Sequence, residues 1–317
     1  LVGSEMCIRD SHLPAATRER ADTIATQVRD ALVRSIERST WMTPATKAEA
    51  RAKASTIRIE IGAPVEDLDF SVQPMGRGSF GGNMLIASTW QRREEMKRIG
   101  RANADRRWDV LPQQPALAYD LAQNRLIVSA AVLQPPVLDL ARTPESHYGS
   151  YGALVGHELG RSVDIRGRVV DARQDVRMWW TPEDLSAWEG IASRLAVQYS
   201  AYPYPGLTAL NVDGTRTRDE NAADLAGVEL ALDAFTTANP GATPEALQQF
   251  FAAWAELWRQ QAAPAAAQHA AMTSPHAPGH WRTNGPLANL PAFGTAFACE
   301  PGAPMQRTEA EQIRIWR

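Results

Sequence analysis

Apolar positions recur at helical spacing over much of the chain. Between about Thr17 and Lys53, Ile24, Val28, Ala31, Leu32 and Ile36 fall on one face of an amphipathic helix. The stretch TPATKAEARAKA then opens a second helix, with Thr43 as N-cap and Pro44 at the first helical position. The same periodicity predicts helices over 81–100, 151–163, 181–199, 220–236 and 244–261. One segment departs from it. RLIVSAAVLQPP (125–136) is a β-branched, apolar run closed by two prolines and reads as a strand. Gly62-Ala63-Pro64 and Pro74-Met75-Gly76 punctuate the chain as turns. In the alanine-rich tract QQAAPAAAQHAA, Pro264 marks a helix end more than a disordered linker. No internal repeat is present, and the pattern predicts a mainly α protein with a small β component.

Composition narrows the classes. At 317 residues the chain can bury a sizeable core, and 44% hydrophobic with 22% charged residues is ordinary for a globular protein. A net charge of -3 gives no reason to expect a nucleic-acid or acidic-lipid partner. No stretch approaches the roughly 18 apolar residues of a membrane span, and no export leader is legible at the start. The opening LVGSEMCIRDS (1–11) reads as a translated sequencing adapter and is set aside from fold reasoning. The protein proper then starts near His12 as an internal segment. Cys7 falls in the discarded stretch, which leaves Cys299, and one cysteine makes no internal disulfide.

Two motifs suggest chemistry. MGRGSFGGN spells G-x-G-x-x-G through Gly76, Gly78 and Gly81, but DFSVQPM before it carries a proline and no buried apolar run. Without a βαβ context this is a glycine-rich turn, not a dinucleotide site. LVGHELGRSVD (154–164) places His157 and Glu158 as the first half of an H-E-x-x-H zinc-protease helix, with Arg161 where the second histidine would stand. In such a helix, histidines at i and i+4 share a face and the glutamate is the base beside a metal-bound water. Downstream, ENAADLAGVELALDAF (220–235) puts Glu220 and Asp224 on one helical face. A carboxylate there suits a third ligand, and an acid one turn on can hold a ligand's free ring N–H. Taken singly, each motif also fits a solvated helix start.

Together these residues resemble the neprilysin family of zinc metallopeptidases. GHELGRSVDIRGRVVD is similar to its zinc helix and following turn, and DENAADLAG to its E-N-x-x-D-x-x-G helix. WWTPEDLSAW and QYSAY resemble the linking segment. SPHAPGHWRTNGPLANLPAFGTAFACEPGAPM and IRIW resemble the C-terminal segment, NRLIVSAAVLQPPVLD the strand before the zinc helix, and STWMTPATKAEARAKA the end of the large helical domain. The resemblance implies a thermolysin-like catalytic domain over 108–317, preceded over 12–107 by the tail of the large helical domain. It implies zinc as cofactor, peptides as substrate, and a periplasmic or cell-surface location. His157 and Glu220 would be zinc ligands, Glu158 the general base and Asp224 the acid orienting His157. His276 would hydrogen-bond the oxyanion, and Arg282 would be a bidentate donor to substrate.

Two departures cut against activity. An always-charged guanidinium at 161 has no lone pair for a metal. The substrate-binding Asn of the family's N-A-[YF]-Y segment falls at Ala116 in ALAY (116–119). The favoured expectation is an impaired copy, a pseudopeptidase in which Arg161 pairs with Glu158, Glu220 or both in place of a metal. The alternative is an active zinc endopeptidase with a replacement third ligand. RLIVSAAVLQ is expected to form an edge strand beside the cleft, where an extended peptide would pair with it.

Overall fold

The computed structural model describes residues 13–64, 73–97, 99–100, 108–300 and 302–317. The adapter-like stretch 1–11, with Cys7, lies outside the described residues, as does part of the segment before the glycine turn.

The mainly α expectation holds. Helices α1 (Ala15–Arg38), α2 (Pro44–Ser55), α3 (Phe80–Met96), α4 (Pro144–His147), α5 (Ala153–Gly160) and α6 (Pro182–Ser200) are followed by α7 (Gly214–Ala238), α8 (Pro244–Leu257), α9 (Pro264–Thr273), α10 (Gly279–Leu287) and α11 (Pro291–Ala296). Among the described residues they surround one sheet of β1 (Arg58–Gly62), β2 (Leu117–Asp120) and β3 (Arg125–Ser129). The predicted face of α1 is the buried one: Ile24, Val28, Ala31, Leu32 and Ile36 lose all solvent exposure where α1 packs on α7 and α5.

The sheet order is β1-β3-β2, so β3 is the central strand and not the expected edge. β1 pairs with it in parallel (Ile59 opposite Leu126) and β2 antiparallel (Tyr119 opposite Leu126). All five residues of β3 are buried, as a strand covered on both faces requires, and that is what the unbroken run RLIVS encodes. The strand is also shorter than the predicted segment, because the chain turns into a 3₁₀ turn at Ala130–Val132. The outer strands are β1 and β2, and the one beside the cleft is β2, whose four residues gave no strand signal.

A single buried core runs from Leu13 through Leu126, Val155 and Leu225 to Trp316. Thus α1, α2 and β1 pack into the same body as the elements after residue 108, and the boundary expected near 107 does not divide the core. Thr43 takes the expected N-cap position of α2 ahead of Pro44, but its side chain accepts no helix N–H: its own N–H and hydroxyl donate to Asp184, at 2.6 and 3.2 Å. Asp184 closes a capping box with Thr181 on α6 and also accepts from Thr46, so one charged acceptor joins two helix starts. Pro264 begins a helix instead of ending one, at a position where its missing N–H costs nothing. The G-x-G-x-x-G stretch is a turn leading into α3, and a Cβ on Gly76, Gly78 or Gly81 would meet nothing within 4 Å.

The turn after α5 is held from behind by Lys53. This side chain has no exposure and donates to Gly167 O at 2.9 Å and Val170 O at 2.6 Å. Burial pulls its pKa down to about 8, against the opposing charges of Asp164, Asp171 and Glu49. Above that value the folded lysine is neutral while the unfolded one stays charged up to its ordinary value of 10.5. The unfolded state then binds more protons, so stability rises with pH through this window. Compared with Lys53→Met, the unaltered protein is expected to gain on the order of 2 kcal/mol between pH 8 and 10. Urea unfolding of both proteins across that range checks this; parallel curves would contradict it.

Candidate functional site

The site begins at a helix crossing with no side chains in it. After a π turn (Tyr148–Gly152), α5 passes α7 so closely that a Cβ on Gly156 would lie 2.6 Å from Gly227 O. A Cβ on Gly227 would lie 2.5 Å from both Ala153 O and His157 N. Only glycine permits that approach, and it brings His157 onto the first turns of α7. There the His157 Nδ1 is 2.8 Å from Asp224 Oδ1, and its Nε2 is 3.5 Å from Glu220 Oε2 and 3.9 Å from Glu158 Oε1. His157, Glu158 and Glu220 therefore converge from two helices.

Arg161, one turn after His157, enters the same point. Its Nη2 donates to Glu220 Oε2 in a short contact and lies 3.4 Å from His157 Nε2, while Nη1 donates to Asp164 Oδ2 at 3.0 Å. Arg161 makes no hydrogen bond to Glu158, so of the two carboxylates expected as partners it takes Glu220, and adds Asp164. Glu158 instead accepts the Tyr119 backbone N–H at 3.0 Å, which ties it to β2. Arg166 donates to the other Glu220 oxygen at 2.6 Å, and His276 Nε2 stands 3.2 Å from Glu220 Oε2.

These contacts fix the protonation states. Burial would raise the pKa of Glu220, but hydrogen bonds from His157 and His276 and the charge of Arg161 hold it far below the usual carboxylate range. Burial would lower that of His157, but its bonds to Asp224 and Glu220 and the charges of Asp224 and Glu158 raise it to about 9. Asp224, fully enclosed, is nonetheless held down to about 2 by the charge and bonds of Arg282 and His157.

Arg282 is not presented to the cleft as the sequence suggests. Its Nε and Nη2 bind Asp224 at 2.8 and 2.7 Å, and its guanidinium carbon sits 3.5 Å above the Trp258 ring. The bidentate fork is spent on the buried acid because Asp224, with no solvent, needs a full counter-charge. His276, at the mouth, is directed at Glu220. Ala116 precedes β2, with its N–H on Ser129 Oγ and its carbonyl on Ser129 N, both at 2.9 Å, and it does not line the cleft. The cleft itself is a cavity of ≈ 320 Å³ lined by Tyr119, Leu121, His157, Glu158, Arg161, Arg166, Glu220 and His276.

The sequence model of Peptidase family M13 matches residues 118–313, and an N-terminal model of the same family matches 2–64. The first of these spans more than half the chain. This chain belongs to peptidase family M13. Among curated proteins it is 25% identical to Neprilysin-3 of Drosophila melanogaster over 317 residues, covering 95% of this chain and 40% of that protein. It is 27% identical to human endothelin-converting enzyme 1 over 312 residues, covering 93% and 40%. Among solved structures, PepO from Lactobacillus rhamnosis superposes with a TM-score of 0.86 at 28% identity, covering 98% of this chain and 49% of that one. The open state of the zinc metalloprotease Zmp1 of Mycobacterium tuberculosis gives 0.86 at 29%, covering 98% and 50%. The chain thus spans less than half the length of the curated relatives it matches. The neprilysin-family resemblance and the mainly α fold stand on these matches together.

Zinc is the family's metal, and the side chains here can be tested against it. The 3.5 Å between His157 Nε2 and Glu220 Oε2 suits two ligands of one tetrahedral ion, each about 2 Å from it. The Arg161 guanidinium stands beside both atoms, on the side from which a third ligand would approach, and it is a cation with no lone pair. Among the described residues no three His, Cys, Asp or Glu side chains gather as a ligand set. The residues at this site do not fit zinc.

Gly156, Gly227, Asp164 and Arg166 were missed as site residues by sequence reasoning. All four stand within the two helix motifs, but the role of each depends on tertiary placement: the glycines on where α5 crosses α7, and Asp164 and Arg166 on where Arg161 and Glu220 point.

Proposed function

We propose that this M13 chain is a pseudopeptidase that holds extended peptides in its cleft without a metal. One observation carries the reading: the Arg161 guanidinium stands against both His157 and Glu220, where it neutralises Glu220 in place of a metal ion. An Arg ion pair offers no Lewis-acid centre, so Glu158 has no activated water beside it to deprotonate. What remains is a binding surface. Ala116 faces β3, so by the alternation of an antiparallel pair Leu117 turns its N–H and carbonyl, and Tyr119 its carbonyl, to the outer edge of β2, while the Tyr119 N–H is held by Glu158. An extended peptide adds to such an edge through main-chain hydrogen bonds. In this reading 12–107 is the tail of a large helical domain and 108–317 the thermolysin-like domain. A periplasmic or cell-surface site, with no nucleic-acid partner, accompanies it; no helix among the described residues is long and apolar enough to cross a membrane.

The test is the zinc content of the purified protein together with hydrolysis of a quenched-fluorescence peptide, with and without chelator. Less than a tenth of an equivalent of zinc and no chelator-sensitive cleavage are expected. One tightly held zinc per chain would refute the reading. It would favour an active zinc endopeptidase with His276 as the replacement ligand, since His276 Nε2 approaches the same Glu220 oxygen as His157.

A further inference from the structure

We propose that the cleft recognises a peptide carboxylate, from a chain end or an acidic side chain, through Arg166 and His276, with the peptide laid along β2. This rests on the metal-free peptide-binding reading above and names the ligand that such a cleft selects.

The donors at the centre are used up and those at the mouth are not. Arg161 is only 7% exposed and is divided between Asp164 and Glu220. Arg282 and Asp224 satisfy each other beneath His157. By contrast, the Arg166 side chain is 55% exposed and spends one guanidinium nitrogen, Nη2, on Glu220 Oε1. A guanidinium presents a planar fork of five donors, so one edge on Glu220 leaves another that matches a second carboxylate bidentately. His276, with its side chain 39% exposed, places Nε2 3.2 Å from the other oxygen of that carboxylate, lines the same cleft, and keeps Nδ1 as its donor for a ligand. Its loop is set by Ser274, whose Oγ accepts the His276 N–H at 3.0 Å.

The acids in the cleft do not compete for this position. Both Glu220 oxygens are already engaged. Glu158 is drawn toward the β2 side, where one oxygen accepts the Tyr119 N–H. A peptide pairing with Leu117 and the Tyr119 carbonyl passes Glu158 along the strand edge and brings a carboxylate to the Arg166 and His276 side of the same cleft. A continuing amide bond would offer those donors a neutral acceptor only, and charge-assisted bonds are roughly twice as strong. Selection here comes from the placed fork, not from net charge, because the buried cations and anions of the site pair off.

The experiment measures binding of three fluorescein-labelled hexapeptides of alternating valine and threonine by anisotropy, to the purified full chain. One ends in a free carboxylate, one in an amide, and one in an amide after a C-terminal glutamate. The free acid is expected to bind about tenfold more tightly than the plain amide, with the gap shrinking as salt is raised. Arg166→Gln, verified as folded by its thermal transition, is expected to bring acid and amide to the same affinity. If the glutamate amide matches the free acid, the carboxylate comes from a side chain; if it matches the plain amide, from a chain end. Equal binding of acid and plain amide by the unaltered protein overturns carboxylate recognition while leaving the peptide cleft intact. Binding of none of the three at about 1 mM overturns both.

Discussion

Arg161→His is expected to take up one zinc ion per chain where the unaltered protein takes up less than a tenth. The two ligands flanking residue 161 are already spaced for a tetrahedral ion, and His157 has its ring held by Asp224. Residue 161 sits one turn after 157, so an imidazole there would project from the same helix face as the guanidinium it replaces. Removing the guanidinium also removes the cation that now neutralises Glu220, and a bound ion would take over that role. Arg161→Ala should behave differently. It leaves Glu220 and Asp164 buried without their shared counter-charge, a loss of about 3–5 kcal/mol, and it supplies no ligand. Metal analysis and urea unfolding of the two variants separate these outcomes. Peptide hydrolysis is a weaker readout than metal content, because it also depends on how a substrate is held. Zinc uptake by Arg161→Ala equal to that of Arg161→His would show that the residue at 161 does not decide metal binding.

Gly227→Ala is expected to cost about 3 kcal/mol, large for one methyl group. The added Cβ would stand 2.5 Å from Ala153 O and from His157 N, both backbone atoms of α5. A flexible side chain could turn aside, but backbone on both sides cannot, so α5 and α7 must separate. Separation loosens the 2.8 Å contact of His157 with Asp224 and the pairing of Arg161 with Glu220. Gly190 of α6 is the control, since a Cβ there meets nothing within 4 Å. Alanine at 190 should stabilise by about 0.5–1 kcal/mol through helix propensity. Thermal or urea unfolding of both variants gives the comparison, and similar small effects would mean that the crossing has slack to absorb a methyl group.

Local pattern made much of the fold legible. The spacing of Ile24, Val28, Ala31, Leu32 and Ile36 set the buried face of α1, because a helix repeats every 3.6 residues whatever it packs against. The motifs around His157, Glu158, Glu220 and Asp224 were visible for a related reason. Their spacing is helical, and a family's chemistry confines which residue types stand there. The strand at 125–129 was visible as an apolar β-branched run, but its position in the sheet was not. A strand buried on both faces reads the same from sequence whether or not its edges are paired, and β2, the edge strand beside the cleft, is too short to signal itself.

Charge pairing was least legible, and it decides the site. Pattern and motif spacing establish a mainly α protein of the neprilysin family with an arginine where a metal-binding histidine would stand. The folded chain is needed to see that Arg161 bridges Glu220 and Asp164 and leaves Glu158 to β2, and that Arg282 turns its fork to Asp224. Helix periodicity is a property of neighbouring residues and survives in one dimension. Which cation meets which buried anion depends on the crossing of α5 and α7 at Gly156 and Gly227, since a charge without solvent must take whatever counter-charge that crossing brings within reach.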